Sequence, residues 1–230
     1  MKVLCTIGAR GGSKGLKNKN IKLLKGKPLI VYTIEQALSC PEIDFISVTS
    51  DSDEILSVAK NSNANLVVKR PLEMATDTAS KLPGLRHCLI ETEKHLGYEF
   101  DIIVDLDPTS PLRKIQDISN CIGLLKEKNA SNVITASPSR KSPYFNLIEN
   151  HKTHGWKPSK WSGAYVPRRQ DVPECFDMNA SVYVYKRNTL LNHDTLWFND
   201  TELYKMPPER SVDIDTEMDF KFVEFLLGQN

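Results

Sequence analysis

The first candidate for chemistry is a glycine-rich, basic segment, GARGGSKGLKNKN, at positions 8–20. It directly follows the apolar run KVLCTI, which predicts a buried strand. Glycines allow backbone N–H groups to approach a phosphate closely, while Arg10, Lys14 and Lys19 add charge and side-chain donors. The spacing is neither GxGxxG nor GxxxxGK[ST], which disfavours a dinucleotide fold and a P-loop ATPase. The segment therefore favours a polyphosphate ligand, with a solvated basic turn as the alternative.

A second candidate is the pair of aspartates in VDID near the end of the chain, Asp213 and Asp215. They alternate along an extended segment, so their side chains are expected to share a face and to converge on one metal ion. Oxygen ligands suit hard cations, so Mg²⁺ is the expected ion, with Mn²⁺ as a substitute. The alternative for a lone DxD is a solvated turn or a helix cap.

The elements that would position these residues follow an α/β pattern. Over the first 136 residues, the apolar runs KVLCTIG, FISVTS, NLVV, FDIIVDL and NVITA alternate with helical patterns. This alternation predicts a mostly parallel sheet with helices on both faces. Ligands bind at the carboxyl ends of strands in such sheets, where the basic segment lies. Later, SVYVYKR predicts a strand and TEMDFKFVEFLL an amphipathic helix capped by Asp215 or Thr216.

Positions 137–178 differ from the rest, with prolines, glycines, two tryptophans and clustered basic residues but no helical period. Such a segment predicts an insertion within a single domain spanning 1–230, and we expect it to form an interface or a lid.

Composition excludes several classes of protein. The net charge of +1 over 230 residues argues against a nucleic-acid binder. The five cysteines are scattered and lack CxxC spacing, which argues against zinc and disulfides. The first apolar run is too short for a signal peptide or a membrane span, so we expect a cytoplasmic protein with no membrane partner.

The segment IGARGGSKGLKNKN resembles the signature of the CMP-sugar-acid synthetases, the cytidylyltransferases that activate N-acetylneuraminate and related nonulosonic acids. Their motif, apolar-x-Ala-Arg-x-x-Ser-Lys-x-x-x-x-Lys-Asn, is matched from Ile7 to Asn20. The resemblance continues in order through GKPLI, SDSDEI, RPLEMATDTAS, DPTSPLR, RRQDVP and SVDIDTEMD. It implies a Rossmann-like nucleotide-diphospho-sugar transferase fold with a small protruding dimerisation segment, and a homodimer.

The resemblance implies that the sugar's anomeric hydroxyl attacks the α-phosphorus of CTP and that pyrophosphate leaves. Lys19 is expected to stabilise the developing charge together with Arg10, while Lys14 either contacts phosphate or only holds the loop. Asp213 and Asp215 match the metal-binding aspartates. The CTP contacts implied by the matching positions are Arg10, Ser13, Lys14, Lys19, Asn20, Arg70 and Ala79.

For the sugar, the resemblance implies contacts at Asp107, Thr109, Ser110, Lys141, Arg169, Gln170 and Asn179. The Arg169-Gln170 pair resembles a sugar-contacting pair that is often contributed by the neighbouring subunit, and the alternative is a solvated loop. Two positions depart from the family. Asp107 replaces the glutamine that is common in relatives activating neuraminate, and either joins the metal, binds a sugar group or only caps the next turn. Asn-Ala-Ser from Asn179 replaces Asn-Gly-Ala.

These features together predict a Mg²⁺-dependent cytidylyltransferase that makes a CMP-activated nonulosonate for surface glycoconjugates. Legionaminate and neuraminate are the expected sugars, and the two departures favour legionaminate. One alternative is an octulosonate-type or other sugar nucleotidyltransferase. Another is a non-catalytic nucleotide-binding homologue, which the retention of every charged position needed for phosphates and metal argues against.

Overall fold

The computed structural model describes residues 1–12, 15–76 and 80–229. Its strands are β1 (Val3–Gly8), β2 (Leu23–Leu24), β3 (Lys27–Pro28), β4 (Phe45–Ser50), β5 (Leu66–Lys69), β6 (Ile102–Leu106), β7 (Asn132–Pro138), β8 (Ile148–His151), β9 (Gly155–Pro158), β10 (Phe176–Lys186) and β11 (Glu202–Lys205). Its helices are α1 (Leu29–Leu38), α2 (Asp53–Asn61), α3 (Lys81–Leu96), α4 (Ile115–Lys128), α5 (Arg187–Asn192) and α6 (Glu217–Leu227). Within these residues, no helix is long and apolar enough to cross a bilayer.

Seven strands form one sheet in the order β11-β7-β10-β6-β1-β4-β5. All neighbours pair in parallel except β10, which runs antiparallel to both β6 and β7. The predicted mostly parallel sheet is therefore confirmed, and each of the five apolar runs in the first 136 residues forms one of its strands.

Successive residues of β1 face two different cores, as the two-residue period of a strand requires. Val3, Cys5 and Ile7 pack with side chains of α1, α2 and α4. Leu4 packs on the opposite face with side chains of α3 and α5. The predicted helices on both faces of the sheet are therefore confirmed.

A third, smaller core joins the segment after β1 to the C-terminal helix. Its buried members are Leu16, Leu24, Leu29, Ile214, Phe220 and Val223. Thr216 caps α6, because its hydroxyl accepts from the backbone N–H of Asp219 while the Asp219 carboxylate accepts from the backbone N–H of Thr216. Of the two caps that the sequence allowed, Thr216 is the one observed. This core holds the basic segment against the aspartates that precede α6.

Positions 137–178 are less separate from the sheet than the sequence predicted. The two ends pair with each other, Asp177 with Ser137 and Phe176 with Pro138, as parts of β10 and β7. Strand β10 therefore begins five residues before the predicted SVYVYKR. The sequence did not reveal this start because an irregularity, with Ala180 at a φ of 50°, interrupts the alternation of the strand. The rest of the segment contains the separate hairpin β8-β9.

Candidate active site

Eight of the predicted site residues line one cleft of about 700 Å³. The cleft lies where β1, β5 and β6 end and where the chain approaches α6, the edge at which open α/β sheets bind ligands. The eight are Arg10, Lys19, Asn20, Arg70, Asp107, Thr109, Asp213 and Asp215. Ser13, Lys14 and Ala79 lie outside the described residues.

The basic loop is held by contacts made through its backbone. The buried Asn20 amide donates to the carbonyl oxygen of Arg10 at 3.0 Å. The backbone N–H of Gly11 donates to the Asp51 carboxylate at 2.9 Å. A Cβ on Gly15 would lie 2.5 Å from the carbonyl oxygen of Asp215, so only glycine lets the loop approach the aspartates this closely.

Lys19 connects the loop to the aspartate segment. Its Nζ lies 3.1 Å from Asp215 Oδ1 and donates to the carbonyl oxygen of Ile214 at 2.5 Å. The Lys19 side chain is only 13% exposed whereas that of Asp215 is 74% exposed. The ammonium group is therefore fixed at the wall of the cleft, while one face of the Asp215 carboxylate remains open.

Asp213 is the more buried of the two aspartates. Burial raises its pKa and outweighs the lowering effect of a hydrogen bond from Thr109; the Asp107 and Asp215 carboxylates raise the pKa further, and Lys19 lowers it. Its Oδ1 is buried and has no hydrogen-bond partner among the described residues. A buried carboxylate oxygen without a donor is costly unless a cation compensates it, so the site fits a metal ion.

The donor set narrows the choice of ion. Among the described residues no group of three or more His, Cys, Asp or Glu side chains could hold a metal. Asp213 and Asp215 offer two carboxylates, and Mg²⁺ is typically held by one or two carboxylates, water and substrate phosphates. The residues present therefore fit Mg²⁺ better than zinc.

Arg70 occupies a gap between two glycines at the base of the cleft. A Cβ on Gly8 would lie 2.8 Å from Arg70 Nη2, and one on Gly84 would lie 3.2 Å from Arg70 Cζ. Nη2 donates to the carbonyl oxygen of Thr49 at 3.4 Å, whereas Nε is buried without a hydrogen-bond partner among the described residues. Burial lowers the Arg70 pKa. The guanidinium group is thus held in place at the base of the cleft.

Replacing Gly8 with alanine is expected to displace the Arg70 guanidinium group while leaving the fold intact, because the new methyl group meets the flexible end of a side chain. The loss of one hydrogen bond predicts a rise in the KM for CTP of about tenfold. Steady-state kinetics with varied CTP measure it. Gly123→Ala in α4 is the matched control, because a Cβ there meets nothing within 4 Å, and an equal rise in both variants would contradict the role of Arg70.

Asp107 does cap the turn that follows it, one of its three predicted roles. Its Oδ1 accepts from the backbone N–H and hydroxyl of Thr109, at 3.2 and 2.9 Å. Its Oδ2 lies 3.2 Å from Nζ of Lys81, the first residue of α3. Burial would raise the Asp107 pKa, but Lys81 and Thr109 hold it below the ordinary value. Asp107 is therefore an ionised, oriented carboxylate at the cleft.

Sequence reasoning missed Lys81 and its second partner, Asp105. Asp105 lies within the apolar run of β6 and is completely buried, with its Oδ2 2.6 Å from Lys81 Nζ. The available signal was the placement of a lysine at the first position of a helix, where the helix dipole disfavours positive charge.

Two predicted sugar contacts are buried in protein structure. Ser110 donates its hydroxyl to the carbonyl oxygen of Asn179 at 3.2 Å. The Asn179 side chain accepts from Thr135 at 2.7 Å and donates to Ser211 at 2.9 Å. Neither Ser110 nor Asn179 lines the cleft, so their contact with sugar stays a prediction.

Three other predicted sugar contacts are not brought to the cleft of this chain. Arg169 and Gln170 line a separate cavity of about 450 Å³, where Arg169 donates to the carbonyl oxygens of Ser139 and Arg140. Lys141 lines another cavity of about 650 Å³. Their role in sugar binding, through a neighbouring subunit, stays a prediction.

Arg113 holds the loop that carries Asp107 and Thr109. Its guanidinium group is buried and donates to the carbonyl oxygens of Ser110 at 3.0 Å, Ser181 at 2.9 Å and Asp107. It therefore supports the turn.

Replacing Arg113 with methionine is expected to lower the free energy of unfolding by about 3 kcal/mol, because several buried carbonyl groups lose their donor. Urea denaturation measures the change. Arg168→Met is the matched control, since Arg168 makes an exposed pair with Asp171, and its expected cost is below about 0.5 kcal/mol. Equal costs for the two variants would show that Arg113 does not support the loop.

Comparison with known proteins agrees with this geometry. The sequence model of the family described as cytidylyltransferase matches residues 4–224. The chain is 42% identical over 228 residues to a CMP-N,N'-diacetyllegionaminic acid synthase of Campylobacter jejuni, covering 98% of this chain and 95% of the relative. It is 41% identical over 227 residues to the post-translational flagellin modification protein B of Campylobacter coli, and the match covers 99% of this chain and 95% of that relative.

More distant proteins share the same fold. An N-acylneuraminate cytidylyltransferase of Streptococcus agalactiae serotype V is 32% identical over 96% of this chain. The match covers 52% of that relative, so this chain spans about half of its length. The structure of CMP:2-keto-3-deoxy-manno-octonic acid synthetase complexed with CTP superposes with a TM-score of 0.74 at 16% identity, covering 100% of this chain and 99% of that one. The expected nucleotide-diphospho-sugar transferase fold is thereby confirmed. The family match and the full-length relatives show that this chain belongs to the cytidylyltransferase family of nucleotidyltransferases.

Proposed function

We propose that the protein transfers the cytidylyl group of CTP to a sialic-type nonulosonic acid and releases pyrophosphate, for surface glycoconjugate synthesis. The observation that carries the proposal is that five side chains line one cleft at the ends of the parallel strands: Lys19, Arg70, Asp107, Asp213 and Asp215. This arrangement supports phosphate, base and acceptor binding at adjacent places.

In this proposal, the hydroxyl oxygen on the acceptor's anomeric carbon forms a bond to the α-phosphorus of CTP. The bond between the α-phosphorus and the oxygen that bridges it to the β-phosphorus breaks. The electron pair of that bond leaves with pyrophosphate, and the hydroxyl proton is lost to solvent. Arg10 and Lys19 neutralise charge on the triphosphate and on the leaving group, the main requirement of phosphoryl chemistry. Because Lys19 is already fixed at the wall, little reorganisation is needed when the nucleotide binds.

Asp213 and Asp215 would hold Mg²⁺, or Mn²⁺ in its place, and a bound ion would supply charge neutralisation between the phosphates and the acceptor's carboxylate. The partnerless Oδ1 of Asp213 and the open face of Asp215 support this assignment. Arg70 is proposed to donate from its guanidinium group to the carbonyl oxygen of cytosine.

Legionaminate is the proposed sugar, with neuraminate second. The 42% identity to the Campylobacter jejuni legionaminic acid synthase exceeds the 32% identity to the streptococcal neuraminate enzyme. The octulosonate enzyme superposes at 16% identity, a similarity that concerns the fold alone.

The proposal includes a cytoplasmic homodimer. Exposed apolar side chains in the segment between β7 and β10 support an interface there: Leu147, Ile148, Trp156 and Tyr165. Sedimentation of the purified chain tests the assembly, and a monomer at micromolar concentration would contradict it.

Pyrophosphate release by the purified protein with CTP and Mg²⁺ tests the reaction. The acceptors are N,N'-diacetyllegionaminate, N-acetylneuraminate, a pseudaminate and an octulosonate, each in a separate reaction. We expect the highest kcat/KM with the legionaminate. Turnover confined to the octulosonate would contradict the proposed acceptor class, and turnover with UTP or GTP but not CTP would contradict the base.

A further inference from the structure

Asp105, Lys81 and Asp107 form an ion cluster, of which Lys81 and Asp105 have no role in the proposed reaction. Lys81 Nζ lies 2.6 Å from Asp105 Oδ2 and 3.2 Å from Asp107 Oδ2. The other oxygen of Asp105 accepts from the hydroxyl of Thr6 at 3.3 Å. The cluster therefore joins Asp105 of β6, and Asp107 just after that strand, to the first residue of α3.

This cluster is a costly way to join a strand to a helix. Asp105 is completely buried on the central part of the sheet, and burial raises its pKa, which Lys81 opposes. Only the Asp105 side of this pair is buried, since the Lys81 side chain is 39% exposed. Replacing a buried charge and its partner by apolar side chains is often neutral or stabilising, so stability alone gives little reason for a lysine at this position.

Lys81 lies at the junction of two cavities. It lines the cleft, and it also lines a neighbouring cavity of about 370 Å³ whose walls include Tyr183, Tyr185 and Trp197. Its Nζ is 4.7 Å from the centre of the Tyr183 ring. The ammonium group thus lies between the phosphate and metal side of the cleft and a space walled by aromatic side chains.

The cluster leaves hydrogen-bonding capacity for a ligand. An ammonium group has three N–H donors, and two of them can serve Asp105 and Asp107. With both carboxylates ionised, the three side chains carry a net charge of −1, so an anionic ligand group is disfavoured. An uncharged group that both accepts and donates, such as a hydroxyl or an acylamino group, can accept from Lys81 and donate to Asp107.

We propose that Lys81, positioned by Asp105, is an acceptor-binding residue that donates to an uncharged hydroxyl or acylamino oxygen of the sugar acid. Asp107 accepts a hydrogen bond from the O–H or N–H group of the same substituent. The inference rests on the proposed function and adds to it the part of the acceptor that this wall of the cleft recognises.

The test is the steady-state kinetics of Lys81→Met with N,N'-diacetyllegionaminate as the probe acceptor and pyrophosphate release as the readout. Loss of one charge-assisted hydrogen bond predicts a rise in the acceptor KM of about ten- to hundredfold. The KM for CTP is expected to stay within about twofold, because the CTP contacts are assigned to other residues of the cleft, among them Arg10, Lys19 and Arg70. Lys81→Arg is expected to restore part of the acceptor affinity.

Lys27→Met is the matched control. Lys27 is 38% exposed against 39% for Lys81, is paired with Glu35 at 2.5 Å and lies 4.8 Å from the centre of the Tyr32 ring. It has the same kind of surroundings but does not line the cleft. Its acceptor KM is expected to equal that of the wild type.

A second variant keeps the test decisive if Lys81→Met fails to fold with an unpaired Asp105. Lys81→Met combined with Asp105→Leu removes the buried charges together, which proteins usually tolerate. If this folded variant retains the wild-type acceptor KM, or if its KM values for CTP and acceptor rise by the same factor, the proposal is wrong. If the proposed function itself is wrong, the wild-type protein will release no pyrophosphate with any sugar acid. That result would overturn both the proposed function and the role of Lys81.

Discussion

Replacing Asp215 with alanine is expected to lower kcat about 10²- to 10³-fold while the protein remains folded. The reason is that Asp213 alone, with water and phosphates, would hold Mg²⁺ more weakly than the two aspartates together and would place it less well. The Asp215 side chain is largely exposed, so its removal costs little packing. Pyrophosphate release over a range of Mg²⁺ concentrations measures the effect, and the variant should need more Mg²⁺ for half-maximal rate.

Asp53→Ala is the control for Asp215→Ala. Asp53 is an exposed aspartate paired with a lysine, Lys69 at 2.5 Å, and does not line the cleft. It should retain the wild-type rate and Mg²⁺ dependence. If Asp215→Ala also retained both, the assignment of this aspartate to the metal would be wrong.

Replacing Lys19 with methionine is the second change with a large expected effect, a fall in kcat of about 10²- to 10³-fold. The ammonium group is nearly buried and held by Asp215 and by the carbonyl oxygen of Ile214, so it is already in place to meet negative charge that develops on the phosphates. Steady-state kinetics at saturating CTP measure the loss, and Lys19→Arg is expected to recover part of it.

Lys22→Met separates charge stabilisation from tethering. Lys22 also connects this loop to the C-terminal helix, through Glu217 at 3.0 Å, but does not line the cleft. If both lysines only tether the loop, the two variants should lose activity equally. A wild-type rate in Lys22→Met beside a large loss in Lys19→Met is the result that the charge argument requires.

The parallel strands and their helices were predictable because their signals are local. Runs such as FISVTS and FDIIVDL are rich in apolar and β-branched residues and form strands that are buried along most of their length. The start of β10 was not predictable in this way, because its first residues include the exposed Asp177 and Met178 and because Ala180 adopts a positive φ. Local patterns do not report such an irregularity.

The candidate site was predictable where a motif names residue types, and not where the chain brings distant residues together. Arg70 was expected from its motif, but the gap between Gly8 and Gly84 that holds it depends on three separate segments. Lys81 and Asp105 were missed because their contact spans two elements and neither residue belongs to a recognisable spacing.

Cytidylyl transfer to a sugar acid can be followed by ³¹P NMR of a single reaction. The purified protein, CTP, Mg²⁺ and N,N'-diacetyllegionaminate are followed over time, beside a reaction without the sugar. We expect pyrophosphate and a CMP phosphodiester signal to appear together, in equal amounts and only with the sugar. Pyrophosphate and free CMP formed at the same rate in both reactions would show that the protein hydrolyses CTP, and would contradict cytidylyl transfer to the sugar acid.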